Sequence, residues 1–109
     1  MKIALLGDIA LFGKNDLVTN TNLYEYYKLV AEYLSGFDLV VGNLETPFSS
    51  TNKTYGGKSA YIKSNPRNVE ILKYLNVSAV NLANNHIYDY GYNGYSSTKN
   101  VLSDNNILY

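Results

Sequence analysis

Residues 37–47 read Phe-Asp-Leu-Val-Val-Gly-Asn-Leu-Glu-Thr-Pro, a short apolar run followed at once by polar residues and a proline. The apolar part is continuous rather than alternating, which is typical of a strand buried on both faces of a parallel sheet. We therefore interpret Phe37 to Val41 as such a strand. The loop that follows, over residues 44–60, is rich in Gly, Ser and Thr, and loops of that length in compact domains usually have a function.

Similar apolar runs lie on either side of this one. Lys2 to Gly7 and Val77 to Leu82 each predict a further buried strand, and Ile107 to Tyr109 resembles the start of a fourth. Stretches with helical periodicity separate these runs. Because strands alternate with helices, the sequence predicts right-handed parallel crossovers and so an α/β fold.

Three helices are predicted between the strands. The first follows Asn22, which has capping-box spacing to Glu25, and it is expected to end at Gly36. The second begins at Pro66, because proline suits a first helical turn, and the third lies within residues 91–103. The predicted buried faces are Leu23, Tyr27, Val30 and Leu34 in the first helix, Val69, Leu72 and Leu75 in the second, and Tyr95, Thr98, Val101 and Leu102 in the third.

The composition is that of a soluble globular protein, with 46% hydrophobic and 17% charged residues among 109. Nine basic and nine acidic side chains cancel, so no electrostatic footprint for nucleic acid or an anionic membrane is present. The lack of cysteine excludes disulfides and thiolate metal sites, and it fits any compartment. No apolar run approaches the roughly 20 residues that span a bilayer. We expect the chain as given to be soluble.

Polar side chains follow the predicted strands at their carboxyl ends, where open parallel sheets bind ligands. The only histidine of the chain falls among them. We therefore predict one site at this edge of the sheet. It comprises Asp8 after the first strand, Asn43 and Glu45 after the second, and Asn84, Asn85 and His86 after the third.

Carboxylate and amide oxygens with one imidazole suit hard or borderline divalent cations, here of the Mn, Fe or Zn class. A pair of such cations about 3.5–4 Å apart can hold both oxygens of an in-line displacement. Glu45 is a candidate bridge between two metals, and Asp8 and Asn85 are candidate ligands of one metal each. His86, beside a ligand, is the candidate catalytic residue, either as a general acid or as a positive stabiliser of the leaving group.

Three motifs taken together resemble the bacterial capsule-synthesis protein CapA family, in the calcineurin-like metallophosphatase superfamily. They are Gly7-Asp8, the run from Val41 to Pro47, and the run from Leu82 to Gly91, which includes Asn-Asn-His-x-x-Asp-x-Gly. The resemblance implies a metallophosphatase-like α-β-β-α sandwich. Residues 1–109 would be the N-terminal part of that domain, a truncated βαβαβα(β) portion with parallel strands.

The resemblance also implies a function. The expected activity is metal-dependent hydrolysis of a phosphoester or a γ-glutamyl amide, linked to synthesis of a capsule or poly-γ-glutamate. The implied partner is an anionic capsular polymer or a phosphoester substrate. The implied location is the cell envelope, with an anchor outside this chain, and otherwise the cytoplasm.

The superfamily motifs can be carried over position by position. Asp8 matches the first metal-binding Asp, Glu45 stands where the bridging Asp is usual, and Asn85 and His86 match the Asn-His pair. Two departures follow. Ala10 occupies the position where the first motif usually has a second ligand, a histidine, and the later histidine motifs would lie beyond the end of this chain. We therefore expect this chain alone to be inactive.

Several candidates also have structural interpretations. Asp8 could cap a turn, and His86 could be a hydrogen-bonded loop histidine. We interpret Asn43, Asn84, Asp89 and Gly91 as structural residues or as supports for the ligands.

Other functions and partners remain open. The alternative function is a non-catalytic capsule-polymer binding or assembly module that has lost its metals, which Ala10 favours. Tyr88, Tyr90, Tyr92 and Tyr95 could stack on sugars, although they are more simply local surface clusters in a chain with 12 tyrosines. An uncovered edge of the sheet could also mediate self-association.

Overall fold

A computed structural model describes every residue of the chain, Met1–Tyr109. Its centre is a sheet of three parallel strands in the order β1-β2-β3. The strands are β1 (Ile3–Ile9), β2 (Leu39–Leu44) and β3 (Ala79–Asn81). The predicted α/β class with parallel strands is confirmed, and β2 is the central strand.

Helices and 3₁₀ turns form the connections. The helices are α1 (Leu23–Tyr26), α2 (Lys28–Leu34), α3 (Val69–Tyr74) and α4 (Gly91–Asp104), and the 3₁₀ turns are Gly13–Asn15 and Pro66–Asn68. Pro66 begins its turn as predicted, and the Asn65 side chain caps that turn by accepting a hydrogen bond from the Arg67 N–H at 2.9 Å. No helix is long and apolar enough to cross a membrane.

The core lies between one face of the sheet and the helices. Val40, Leu44 and Val80 point to this face and are buried. The helices and their ends contribute further core residues, including the predicted residues Leu23, Leu34, Val69, Leu72, Leu75 and Leu102, and the connecting segments add Leu11, Leu17, Phe48, Val77 and Ile107. Packing of this apolar face against the sheet stabilises helices that are too short to be stable alone.

The prediction that the first strand is buried on both faces is wrong. Leu5 is 80% exposed and Ile3 is 50% exposed, whereas Ala4 and Leu6 pack against the core. β1 is an edge strand, and no element of the chain covers the face that Leu5 shares with its neighbour Val41. The continuous apolar run therefore correctly predicted a strand with two apolar faces, but only one of these faces is covered.

The first predicted helix also differs from the structure. Asn22 makes no side-chain cap hydrogen bond, so the capping box is not formed. The helix divides at Tyr27, whose hydroxyl donates to Asn15 Oδ1 at 2.6 Å. In α2, Ala31 is buried while the predicted core residue Val30 is 47% exposed.

Residues with a left-handed backbone conformation end two of the helices. The first predicted helix, which was expected to end at Gly36, is not one of them. Gly36 does not have a positive φ, whereas Asn76 (φ 60°) and Asn106 (φ 57°) do. After α3, Val77 N–H donates to Leu72 C=O and Asn76 N–H donates to Lys73 C=O, which is a Schellman motif. Equivalent bonds follow α4.

Of the fourth predicted strand, Ile107 to Tyr109, only one residue pairs with the sheet. Leu108 forms one isolated parallel bridge with Ala79 beside β3. Its N–H donates to Ser78 C=O at 3.0 Å, and its C=O accepts from Val80 N–H at 2.9 Å. A second isolated parallel bridge joins Phe48 and Ser64.

Candidate functional site

A β-bulge in β1 sets the position of Asp8. Leu5 pairs with Val41, but Asp8 rather than Gly7 pairs with Asn43, so three residues of β1 span two of β2. The extra residue places the Asp8 side chain beside that of Asn43. Bulges of this kind are frequent next to functional sites because they redirect a side chain.

Gly42 permits the close approach of β1 and β2 at this bulge. A Cβ atom on Gly42 would lie 2.5 Å from Ile9 Cδ1 and 3.3 Å from Leu6 Cβ. Gly42 precedes Asn43 and Ile9 follows Asp8, so this tight packing lies next to the two polar residues at the edge of the sheet. Glycine contributes space here rather than a special backbone conformation, since its φ is not positive.

A chain of side-chain hydrogen bonds runs along the carboxyl edge of the sheet. Asn43 Nδ2 donates to Asp8 Oδ1 at 2.7 Å. Asn43 Oδ1 in turn accepts from Asn81 Nδ2 at 2.8 Å and from Asn84 Nδ2 at 3.2 Å. All three strands therefore contribute to one network. Sequence reasoning missed Asn81, although its register opposite Asn43 would have indicated it.

Asn84 connects this network to the histidine. Its Nδ2 also donates to Leu44 C=O at 2.9 Å, and its Oδ1 accepts the His86 N–H at 3.0 Å. The amide of Asn84 thus fixes the turn after β3 to the end of β2. Asp8 and His86 are joined through two asparagines, Asn43 and Asn84.

Asp89 holds the imidazole ring. Its carboxylate is 0% exposed, and its Oδ2 lies 2.7 Å from His86 Nδ1 and accepts a hydrogen bond from the Ile62 N–H at 2.8 Å. The Lys58 ammonium forms an ion pair with Oδ1. Burial alone would raise the pKa of Asp89, but the bonds from Lys58, Ile62 and His86 together hold that pKa below its ordinary value.

Lys58 was not among the predicted site residues. It lies in the long loop after β2, and its Nζ also donates to Asn85 C=O at 2.6 Å. Sequence alone offered no signal for this pairing, because Lys58 is one of two lysines in a polar loop and lies 31 residues from Asp89. Through these Lys58 contacts, the loop that was predicted to have a function reaches the residues around His86.

The other two predicted ligands are less closely tied to the network. Glu45 follows β2, is half-buried and takes part in no ion pair. Its N–H donates to Ile9 C=O at 3.0 Å, which keeps it at the same edge as Asp8. The Asn85 side chain is exposed beside His86.

The donor set can be compared with the requirements of a divalent cation. Asp8, Glu45 and Asn85 offer oxygens of the type that such ions prefer, and Asp8 Oδ2 is not used in the bond to Asn43. However, no three His, Cys, Asp or Glu side chains converge on one point. The residues thus fit a cation in chemical type, while Ala10 supplies no ligand where a second histidine was expected.

Gly91 and the tyrosines flank the site. Gly91 has φ +67° and begins α4, two residues after Asp89, in a conformation that L side chains rarely adopt. Tyr88 and Tyr95 pack with ring centroids 5.1 Å apart, and Tyr92 packs on Tyr95 at 6.2 Å. These rings contact one another along the side of α4.

Comparison with known proteins assigns the family. The family model described as "Bacterial capsule synthesis protein PGA_cap" matches residues 2–109. This chain belongs to that family. Among its curated relatives, the "PGA biosynthesis protein CapA" of Bacillus subtilis (strain 168) is 28% identical over 112 residues, which cover 98% of this chain and 29% of the relative.

A second relative, the "Capsule biosynthesis protein CapA" of Bacillus anthracis, is 26% identical over 113 residues. The match covers 100% of this chain and 28% of that protein. The chain therefore spans less than a third of the length of these relatives.

Proposed function

We propose that this chain forms part of a metal-dependent hydrolase domain that acts in the synthesis of capsule or poly-γ-glutamate. The bond that it cleaves is a phosphoester or a γ-glutamyl amide. The names of both relatives support the process. The observation that carries the chemistry is the hydrogen-bonded line from Asp8 through Asn43 and Asn84 to His86.

The residues of the site would have different roles. Asp8, Glu45 and Asn85 would hold a divalent cation of the Mn, Fe or Zn class, and Glu45 would bridge if two were bound. If bound, such a cation would lower the pKa of its water to about 7 and would polarise a phosphoryl or carbonyl oxygen. His86 donates a proton to the leaving group, since it lies beside the ligand Asn85. Asn43 orients the Asp8 carboxylate through its bond to Oδ1.

Catalysis is proposed for the full-length protein rather than for residues 1–109 alone. The chain contains one histidine and has Ala10 where a second histidine ligand is expected. Additional ligands would therefore come from elsewhere in the protein. We propose an anionic capsular polymer or a phosphoester as the substrate, at the cell envelope.

Elemental analysis tests this proposal. The full-length protein, expressed with supplements of Mn, Fe or Zn, should retain bound metal, and the double variant Glu45→Ala/Asn85→Ala should lose most of it. A matched double variant on exposed helix positions, Glu32→Ala/Asn100→Ala, should retain it. Equal metal content in the wild type and the Glu45/Asn85 variant would contradict the proposed ligands.

Two observations favour a second function. No group of three acidic or histidine side chains is placed to hold a metal ion, and position 10 is alanine. This function is non-catalytic binding or assembly of the capsular polymer. Binding of poly-γ-glutamate that persists in chelator, without hydrolysis under any metal supplement, would support it. Loss of binding in chelator would argue for the metal-dependent function instead.

A further inference from the structure

A small pocket lies between the long loop after β2 and the start of α4. Its volume is about 190 Å³, and its lining includes Thr51, Lys53 and Tyr55 from the loop with Tyr90 and Tyr92 from the beginning of the helix. Pockets that enclose a whole small molecule usually measure about 300–1,000 Å³. This pocket, which we call the loop pocket, therefore has room for one unit of a longer chain.

We propose that the loop pocket is a subsite that binds one carboxylate-bearing unit of an anionic polymer chain, beside the proposed hydrolytic site. In naming the polymer, the inference rests on the proposed function, and it adds a second place at which that polymer is held. Three features carry it. They are positive charge without an acidic partner, exposed tyrosine rings beside that charge, and a pocket wall that hydrogen bonds hold in place.

The loop carries positive charge that its own sequence does not neutralise. Between Glu45 and Glu70 the chain has three lysines, one arginine and no acidic residue. Lys58 is paired with Asp89, whereas the Lys53 side chain takes part in no ion pair and no hydrogen bond. An ammonium group at the wall of a partly enclosed pocket attracts an anion, because the pocket screens the charge less than open solvent does.

Lys63 adds a second charge and holds the wall of the pocket. Its Nζ donates to Thr51 C=O at 2.5 Å and to Asn52 Oδ1 at 2.7 Å, and it lies 5.0 Å from the centre of the Tyr90 ring. The Thr51 hydroxyl accepts from the Lys53 N–H at 3.1 Å. The backbone around Lys53 is thus fixed before a ligand arrives, which reduces the entropy lost on binding.

Two tyrosine rings lie beside this charge. Tyr55 is 69% exposed and Tyr92 is 68% exposed, so both rings offer free surface. Tyrosine combines a rigid apolar face with a polar tip. A γ-linked glutamate unit carries a carboxylate next to a short run of methylene groups, which matches an ammonium next to apolar rings. A neutral sugar would use the rings but leave the ammonium of Lys53 without a partner.

The loop pocket is close to the turn that carries His86. The Tyr55 N–H donates to Asp89 C=O at 2.9 Å, and Asp89 lies three residues after His86. Tyr90, which lines the pocket, follows Asp89 directly. A polymer with one unit in the loop pocket would therefore have its neighbouring units beside the proposed hydrolytic site.

Binding to the full-length protein tests the role of the charge. The probe is a short γ-linked glutamate oligomer, and isothermal titration calorimetry measures its affinity. Lys53→Met should weaken binding about fivefold, which corresponds to an ion pair of about 1 kcal/mol. Lys28→Met removes the same charge from an exposed position of α2 and should change affinity by less than about twofold, because distant surface charges are screened. Equal weakening by both variants, or by neither, would overturn the inference.

A second pair of variants tests the rings. Tyr92→Ala should weaken binding about fourfold, the equivalent of one methylene group returned to water. Tyr33→Ala on α2 is the control, since Tyr33 is 71% exposed and so matches Tyr92 in exposure. Tyr33→Ala should bind the oligomer as the wild type does. An affinity of Tyr92→Ala equal to that of Tyr33→Ala would contradict a role of the ring.

Altered probes test the chemistry of the ligand. The same oligomer with carboxamides in place of its carboxylates should bind the wild type at least about fivefold more weakly, and Lys53→Met should not weaken it further. If the carboxamide oligomer bound as tightly as the carboxylate oligomer, the assigned charge pairing would be wrong. If inorganic phosphate bound more tightly than the oligomer and lost this binding in Lys53→Met, the pocket would be a phosphate site and the carboxylate assignment would be overturned.

These outcomes separate the subsite from the proposed hydrolase. If Lys53→Met and Tyr92→Ala weaken binding while the full-length protein neither holds metal nor hydrolyses the polymer, the hydrolase proposal fails and the subsite stands. If the protein hydrolyses the polymer while both variants bind it as tightly as the wild type, the subsite fails and the hydrolase stands.

Discussion

Substitution of Asn43 by aspartate tests the edge network most sharply. Asn43 Nδ2 donates to Asp8 Oδ1 at 2.7 Å. In Asn43→Asp an oxygen replaces that donor, while the amides of Asn81 and Asn84 can still donate to the other oxygen. The variant therefore changes one contact from attraction to repulsion and leaves the rest of the network in place.

The magnitude follows from the distance. Two unit charges 2.7 Å apart repel by about 1.5 kcal/mol in water and about 6 kcal/mol at an effective dielectric constant of 20. Because Asp8 is exposed, the value near water applies. Loss of the hydrogen bond adds about 1 kcal/mol. We expect the free energy of unfolding at pH 7 to fall by about 2–3 kcal/mol.

The loss should depend on pH in a definite direction. Crowding raises the pKa of the new carboxylate at position 43 in the folded state above its unfolded value. Between these two values the folded variant holds a proton that the unfolded chain has released, so its stability rises as pH falls. The difference from the wild type should therefore be smaller at pH 4.5 than at pH 7.

Urea unfolding followed by circular dichroism at both pH values measures the effect. The control Asn100→Asp introduces the same charge at an exposed position of α4 and should change stability by less than about 0.5 kcal/mol. A loss in Asn43→Asp that is equal at both pH values, or no larger than in the control, would refute the geometry of the network.

Three further predictions concern residues that support the site. Gly42→Ala should destabilise the fold by about 1–3 kcal/mol through overpacking, measured as a lower melting temperature, because the new Cβ would lie 2.5 Å from Ile9 Cδ1. Thr98→Val should destabilise it by about 1–3 kcal/mol in urea, because Thr98 Oγ1 accepts the buried Phe48 N–H at 2.9 Å. The lowered pKa of Asp89 adds stability that is present above the unfolded carboxyl pKa of about 4 and is lost as pH falls through the folded value. The stability of Asp89→Asn, measured by circular dichroism during acid unfolding, should therefore depend less on pH than that of the wild type.

Matched controls make these outcomes decisive. Gly36→Ala, where the nearest atom to the new Cβ is 3.6 Å away, should be nearly neutral, and an equal loss in both glycine variants would contradict the steric argument. Ser96→Ala on α4 should have little effect, so similar losses in it and Thr98→Val would count against the buried bond. If Asp89→Asn, Asp104→Asn and the wild type all gave the same acid-unfolding curve, the claim that the buried carboxylate contributes pH-dependent stability would be contradicted.

Sequence reasoning located the elements because their signals are local. The apolar run at residues 37–41 and the proline at Pro66 each marked a strand or a helix start that the structure contains. The end of β2 differs from the prediction by three residues, since Gly42 to Leu44 continue the strand into the polar motif. Local patterns identify elements better than they identify their ends.

Burial and capping were harder to predict because they depend on distant neighbours. Leu5 is apolar and in a strand, yet nothing in its own segment reveals that its face is uncovered. Asn76 and Asn106 adopt left-handed conformations at the ends of α3 and α4, for which the sequence analysis predicted no capping residue. Asparagine is also tolerated there, so an Asn followed by a buried aliphatic residue could have indicated both motifs.

The convergence of polar side chains at one edge of the sheet was predictable for a topological reason. Parallel strands end at one edge, so Asp8, Asn43 and Asn84 had to lie near one another once the strands were identified. The Lys58 contact with Asp89 depends on how a long loop folds back, and no periodic pattern encodes that path.

Paramagnetic relaxation by Mn²⁺ tests the central claim, that this edge is a single cation site, most directly. The account predicts that substoichiometric Mn²⁺ selectively broadens the NMR signals of Asp8, Glu45 and the Asn85–His86 segment, and that Glu45→Gln weakens the effect. Broadening that falls equally on remote exposed acids such as Glu70, and that is unchanged in Glu45→Gln, would contradict it.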